Sequence, residues 1–347
     1  MKVRLAIGAL FLAGAAAAQP AQPIPDSTEP VADLLAASPS VTITNGLITA
    51  RITPPDLAKG FYRGTRFDQA GVITSLKLGD REFYGPWFER TAPDVLDYVY
   101  VPEGIAAGPD SAISGPVEEF APLGFDDKAT PLFVKIGVGL LHRPDDKAYD
   151  HYRHYDIVSV GRRTTRTTKN SVTFGQVLDG AGYGYTYEKT LRLVPGTTQM
   201  VIEHALRNTG SKPIVTTVYD HNFLRLVPGN AGIQVTFPFP VSAGKPPPAA
   251  DLVRIAGKTL TYLRAMADKE RLSFPVTGFG ETASDYDFEI ADAKSGAGVR
   301  IVGDQPVTRI NIFSIDRVQA VEPYIAIDLP PGAQKTWRYT YTFTAPR

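Results

Sequence analysis

Two short stretches carry residues able to move protons. The first is "TTVYDHNFLRL", residues 216–226, a β-type run that ends on Tyr219, Asp220, His221, Asn222 and Phe223. The chain has five histidines, and this one sits where a strand meets a loop, beside aromatic and amide side chains. Such an imidazole is open to three uses: structural group, metal ligand or proton donor. Strand alternation puts Ile214, Thr216, Val218 and Asp220 on one face and Thr217, Tyr219, His221 and Phe223 on the other. Parity alone favours a half-buried histidine satisfied by a backbone carbonyl. The second stretch is "AVEPYIAIDLPPGA". Val321, Ile325, Ile327 and Leu329 turn towards a core, and Glu322 falls on the opposite face with Tyr324. A carboxylate beside a tyrosine at a strand start suits a general base, and equally an exposed edge residue.

Other clusters are less specific. His151 and His154 are three apart, a metal-binding spacing only on a helix, and their Tyr and Asp neighbours equally suit a solvated or sugar-stacking surface. Arg63 and Arg66 in "FYRGTRFDQAG" would grip a carboxylate or phosphate bidentately, or simply charge a strand edge. The pairs Asp126-Asp127 and Asp145-Asp146 lie in turn-like contexts, and adjacent strand residues face opposite ways, so neither is a ready dyad. "GAGYGY" at 180–185 precedes a strand and reads as a hairpin rather than a nucleotide loop. His204 shares a face with Met200, Ile202 and Leu206 and reads as a core histidine. The chain has no cysteine, which excludes thiol catalysis, Cys-ligated zinc and disulfides. Zincin, serine-hydrolase and P-loop motifs are absent from the sequence.

The elements that must position these residues are strands. From Val41 onward the chain is a series of short β-branched or aromatic runs parted by Gly, Pro, Asn and Asp, with hairpin signals at Asn45-Gly46 and Gly79-Asp80. That pattern predicts an all-β sandwich or barrel, with residues 41–347 as a single domain. Residues 89–131 and 240–251 read as long loops of the kind that wall a binding site. Residues 19–40, rich in Pro, Ala and Ser, read as a linker in which "VADLLAA" forms a helical turn or two. Residues 1–18 have a short positive region, an apolar run and small residues before Gln19, the pattern of a signal peptide, so the mature protein is expected in the periplasm or secreted. Of the 347 residues, 43% are hydrophobic, enough for a large core. Basic and acidic residues balance at 36 each, so no global field draws the chain to nucleic acid or an anionic membrane.

The stretch "YEKTLRLVPGTTQMVIEHALRNTGSKPIVTTVYDHNFLRL" resembles a characteristic part of the aldose 1-epimerase (galactose mutarotase-like) superfamily. Asn208-Thr209-Gly210 and Pro213 stand where that family closes a strand pair, and His221 and Phe223 where the next strand delivers a histidine and an aromatic residue. Glu322-Pro323, the Pro331-Gly332 turn and the last run "TWRYTYTF" match its C-terminal region, and "GVITSLKLGDREFYG" its early hairpin.

The resemblance implies a large antiparallel β-sandwich that binds a mono- or oligosaccharide on a concave face. It implies Glu322 as general base on the anomeric hydroxyl and His221 as general acid on the ring oxygen, one on each side of the sugar ring, with no metal or redox cofactor. Arg63, Arg66, Tyr219, Asn222 and Tyr324 are the candidate substrate contacts, and the arginines would suit an acidic sugar. Tyr62, Trp87 and Phe88 are further stacking candidates. One departure is plain: the His-Gly segment with which the family contacts sugar is missing, leaving His142, His151 or His154 as substitutes. A non-catalytic sugar-binding protein and a polysaccharide lyase are the rival readings of the same fold. The oligomeric state is not legible.

Overall fold

The computed structural model describes residues 25–346; the signal-type segment expected over residues 1–18 lies outside them. Two antiparallel sheets dominate. One has six strands in the order Ser242–Ala243, Arg271–Thr277, Arg309–Ile315, Val318–Leu329, Ile214–Phe223, Gly115–Phe120. The other has ten, running from Arg162–Thr167 at one edge to Val253–Ala256 at the other, with Tyr183–Leu193, Gln199–Asn208 and Gln334–Thr344 among its inner strands. The sheets pack face to face. Ile214, Val218 and Ile325 of the first meet Leu191, Ile202 and Tyr339 of the second in one buried cluster. This is the expected all-β sandwich, and alternation explains it: each strand turns every second side chain to the shared core.

The turn signals fall where strand chemistry requires them. Val41–Thr44 pairs with Ile48–Thr53, Val72–Leu78 with Arg81–Tyr84, and Ser171–Gly180 with Tyr183–Leu193 across Ala181-Gly182. Ala181 and Gly182 both have positive φ, 55° and 80°, the conformation a two-residue hairpin turn demands.

Two expectations need correction. Residues 89–131 are not one long loop. They contain the strands Arg90–Thr91, Tyr98–Val101, Gly104–Ala107 and Gly115–Phe120, the last an edge of the six-stranded sheet. The described part of the expected linker is docked on the sandwich: Glu29–Pro30 pairs with Arg90–Thr91, and Leu34 and Leu35 of the helix Val31–Ala37 pack against a buried aromatic cluster. The apolar face of "VADLLAA" supplies that docking. Among the described residues no helix is long and apolar enough to cross a membrane.

The core between the sheets also holds charge. Lys189 is bonded to Glu118 and lies 3.6 Å from Asp68 Oδ2. His204 Nε2 is 2.9 Å from Glu118 Oε1, and its ring stacks on Trp337 at 4.7 Å. Burial opposes ionisation of Glu118, but Lys189 and then His204 outweigh it and hold its carboxyl at about 2.

Candidate active site

The outer face of the six-stranded sheet is the floor of a hollow, and its side chains stand in rows across the strands. Arg309 is level with Tyr324, Tyr324 with Tyr219, and Tyr219 with Glu119. Two residues along, Asn311 is level with Glu322, and His221 with Val117. Beyond that row lie Phe313 opposite Ala320, and Phe223 opposite Gly115. Rows are separated by roughly 6.6 Å along the strands, and neighbours within a row by about 4.8 Å. A proton-transfer row is thus bordered on one side by a cationic and aromatic row and on the other by an apolar one.

Within the middle row, His221 Nε2 lies 3.1 Å from Glu322 Oε1. Asn311 Nδ2 donates to Glu322 Oε2 at 2.9 Å, fixing the carboxylate. The imidazole stacks on Phe223, with centroids 3.6 Å apart and planes 8° apart, and meets Phe67 and Phe313 edge-on. Its Nδ1 has no hydrogen-bond partner among the described residues. Burial, followed by the Arg66 charge, outweighs the opposing pull of Glu119 and holds the imidazole well below its ordinary pKa. Burial raises the Glu322 carboxyl, against the opposing pull of the Asn311 bond and of Arg66. The first effect makes His221 a stronger acid, and the second makes Glu322 a stronger base. Each residue keeps only 4% and 6% of its surface, respectively, and both line the hollow. The direct contact corrects one expectation: the two groups are side by side, not across a ring from each other.

The flanking rows are organised by ion pairs. Arg66 Nε is 2.8 Å from Glu119 Oε2, and its Nη2 donates to the Tyr219 hydroxyl at 3.0 Å. That hydroxyl donates in turn to Glu119. Lys135 approaches Glu119 Oε1 from behind at 3.6 Å. Burial would raise the Glu119 carboxyl, but Arg66 and then Lys135 hold it well below the usual range. Tyr324 stacks on Tyr219 at 4.4 Å. Above the floor, Trp87 stacks on Phe223 at 5.9 Å, and from the floor strand Arg271–Thr277 the side chain of Arg271 reaches Asp97 at 3.3 Å and the Tyr152 hydroxyl at 3.4 Å. The hollow encloses about 660 Å³, the open space at its mouth included.

Of the expected site residues, His221, Glu322, Arg66, Tyr219 and Tyr324 converge on this hollow. Two do not. Arg63 is exposed and lines a separate hollow with Phe61 and Pro109, because it lies on the far side of the turn that sends Arg66 inward. Asn222 faces the core, as its parity with Asp220 requires; its amide donates to Val321 O at 3.0 Å and accepts from the Tyr341 hydroxyl at 3.0 Å. Trp87 lines the hollow, whereas Tyr62 and Phe88 are packed in the aromatic cluster beside it.

The two spaced histidines diverge rather than share a ligand. His151 lines the hollow with Nδ1 3.6 Å from Glu119, and His154 Nδ1 lies 3.0 Å from Asp110. Asn311, Arg271, Arg309, Asp97 and Tyr152 were not anticipated. Alternation in "VTRINIFSI" would have put Arg309, Asn311 and Phe313 on one face. Only the pairing of that strand with Val318–Leu329 reveals that the face is shared with Glu322.

No family model matches the sequence, and no curated protein matches it. Solved structures do. A candidate aldose 1-epimerase from Escherichia coli K12 is 11% identical, with a TM-score of 0.52 over 88% of this chain and 99% of its own. An aldose epimerase homologue from C. elegans is 14% identical, with a TM-score of 0.52 over 90% of this chain and 100% of its own. A galactose mutarotase-like protein from Clostridium acetobutylicum is 10% identical, with a TM-score of 0.51 over 89% and 96%. At such identities the likeness is one of architecture, and in architecture the chain is a galactose mutarotase-like β-sandwich.

Proposed function

We propose that this chain is an enzyme that interconverts the anomers of a sugar by acid–base ring opening. The observation that carries the reading is the 3.1 Å contact between His221 Nε2 and Glu322 Oε1 on the floor of an open hollow. The two oxygens that must exchange protons in a cyclic hemiacetal, the anomeric hydroxyl and the ring oxygen, are bonded to the same carbon. A donor and an acceptor standing side by side match them.

The pair works with one proton held between its two partners. With that proton on Nε2 and the ring's own proton on Nδ1, the ring is an imidazolium, and the Glu322 carboxylate takes the proton of the anomeric hydroxyl as Nε2–H is delivered to the ring oxygen. The C1–O5 bond breaks and a carbonyl forms at C1. The proton now rests on Glu322, and the imidazole is neutral. Rotation about C1–C2 followed by the reverse transfers gives the other anomer and restores the pair. Arg66, Tyr219 and Tyr324 border the sugar, and Phe223, Phe313 and Trp87 give it an apolar wall.

The test is nuclear magnetic resonance of freshly dissolved single-anomer sugars. The protein should speed equilibration, and His221→Ala or Glu322→Ala should each slow it by at least ~10²-fold, with Glu322→Gln as the shape-preserving control. Binding without acceleration would instead indicate a sugar-binding protein, and ultraviolet absorbance from an unsaturated product a lyase. Export belongs to the same proposal: residues 1–18 would be removed, and N-terminal sequencing of the protein recovered from the cell envelope would begin near Gln19.

A further inference from the structure

Three arginines line the hollow, and they are not equivalent. Arg66 is held by Glu119 and Tyr219. Arg271 meets Asp97 and Tyr152 at 3.3 and 3.4 Å, longer than the roughly 2.7–2.9 Å of a well-formed charge-assisted bond. Arg309 makes no ion pair among the described residues; its guanidinium lies 4.9 Å from the centroid of the Tyr324 ring, and the residue is exposed. Counting Lys135 behind Glu119, four cationic side chains face three carboxylates, those of Glu119, Asp97 and Glu322. The chain as a whole is balanced at 36 and 36, so this excess is local.

Its position matters as much as its sign. Arg309 is level with Tyr324 and two residues from Asn311, which is level with Glu322. That offset is roughly 6.6 Å along the strand. A sugar whose anomeric carbon sits against His221 and Glu322 spans about one ring and one exocyclic group in that direction. We infer that the substrate is an anionic sugar whose carboxylate or phosphate, carried away from the anomeric carbon, is bound by Arg309 above the Tyr324 ring. This rests on the anomer-interconverting reading for where the ring sits. Arg309 is then a specificity residue. The guanidinium's planar fork is free to meet two oxygens of an anion, and the stacked Tyr324–Tyr219 pair keeps it from folding back on the floor.

The experiment compares anomer equilibration of D-glucose, D-glucuronate and D-glucose 6-phosphate by the full chain and by Arg309→Gln, with binding followed in parallel by saturation-transfer resonance. At least one anionic sugar should be turned over with a kcat/KM at least tenfold above that of glucose. Arg309→Gln should lower that value on the order of 10- to 100-fold, the worth of a charge-assisted bond, and change glucose less than about threefold. Which anion responds separates carboxylate from phosphate. Equal or better turnover of glucose, or equal losses for all three sugars, overturns the inference and leaves the anomerase reading standing. If no sugar is accelerated but an anionic one binds and loses binding in Arg309→Gln, the inference survives and the anomerase reading fails. If no anionic sugar binds, the inference fails.

Discussion

Asn311 offers a sharp test of the proton pair because it touches only one member. Its Nδ2–H donates to Glu322 Oε2 at 2.9 Å, and the oxygen that meets His221 is the other one. Asn311→Ala therefore leaves the pair intact and removes a bond that favours the charged carboxylate. A hydrogen bond to a charged group is worth about 1.5–3 kcal/mol, roughly a 10- to 100-fold change in the proton affinity of the carboxyl. The sign follows from which form loses the bond. The carboxylate loses more than the acid does, so the pKa of Glu322, already raised by burial, rises further.

Catalysis needs the one shared proton. Activity falls on the alkaline side as Glu322 loses that proton, and on the acid side as His221, held well below its ordinary pKa, gains a second. The kcat profile of anomer equilibration should be bell-shaped. In Asn311→Ala the alkaline limb should move upward by about one pH unit or more, with the acid limb little changed. Resonance spectroscopy of single-anomer sugars across the pH range reads both limbs. An alkaline limb that stays in place, or moves downward, would refute the assignment of that limb to Glu322. Loss of the acid limb alone would show that Asn311 acts on the histidine.

Two further outcomes concern the framework that holds the site. Lys189→Met strips the cation from buried Glu118 and Asp68 and should cost about 3–5 kcal/mol in urea unfolding; a loss under ~1 kcal/mol would mean that His204 alone suffices for Glu118. Burial pushes the Lys135 ammonium down to about 8, with Glu119 opposing that shift. The unfolded chain then binds more protons at this site between about pH 8 and 10.4, so its contribution to stability rises with pH across that window and is lost as pH falls through 8. Unfolding midpoints measured over that range should rise less in Lys135→Met than in the unaltered protein, and an identical slope would contradict the assignment.

How far the site was legible in the sequence depends on which neighbours each residue needed. His221 and Glu322 could be placed on outward faces by alternation along their own strands, and the resemblance to a known family supplied their partnership. Arg309 and Asn311 obey the same alternation, but their relevance comes from lying beside Glu322 on the next strand, and cross-strand register is not written in local periodicity. Arg63 and Arg66, three apart in one loop, were indistinguishable until the turn sent one out and the other in. Asn222 was legible and misjudged: its parity with Asp220 already pointed it at the core.

The strand Gly115–Phe120 explains why the core and the hollow belong to one design. "GPVEEF" breaks the apolar alternation with two acids inside a Pro- and Gly-rich region, so it reads as loop. In the folded chain the two acids face opposite ways, as adjacent strand residues must. Glu118 enters the core and meets Lys189 and His204; Glu119 enters the hollow and gathers Arg66, Lys135 and the Tyr219 hydroxyl. Each carboxylate has cations waiting for it on its own side, which is what lets a strand with two consecutive acids be buried at all. A one-residue slip would exchange them. Glu118 would lose its lysine and Glu119 its arginine, and Val117, now level with His221, would leave its place in the row. The ion pairs of the core thus fix the register of the edge strand, and that register delivers the carboxylate that holds Arg66 beside the proton pair.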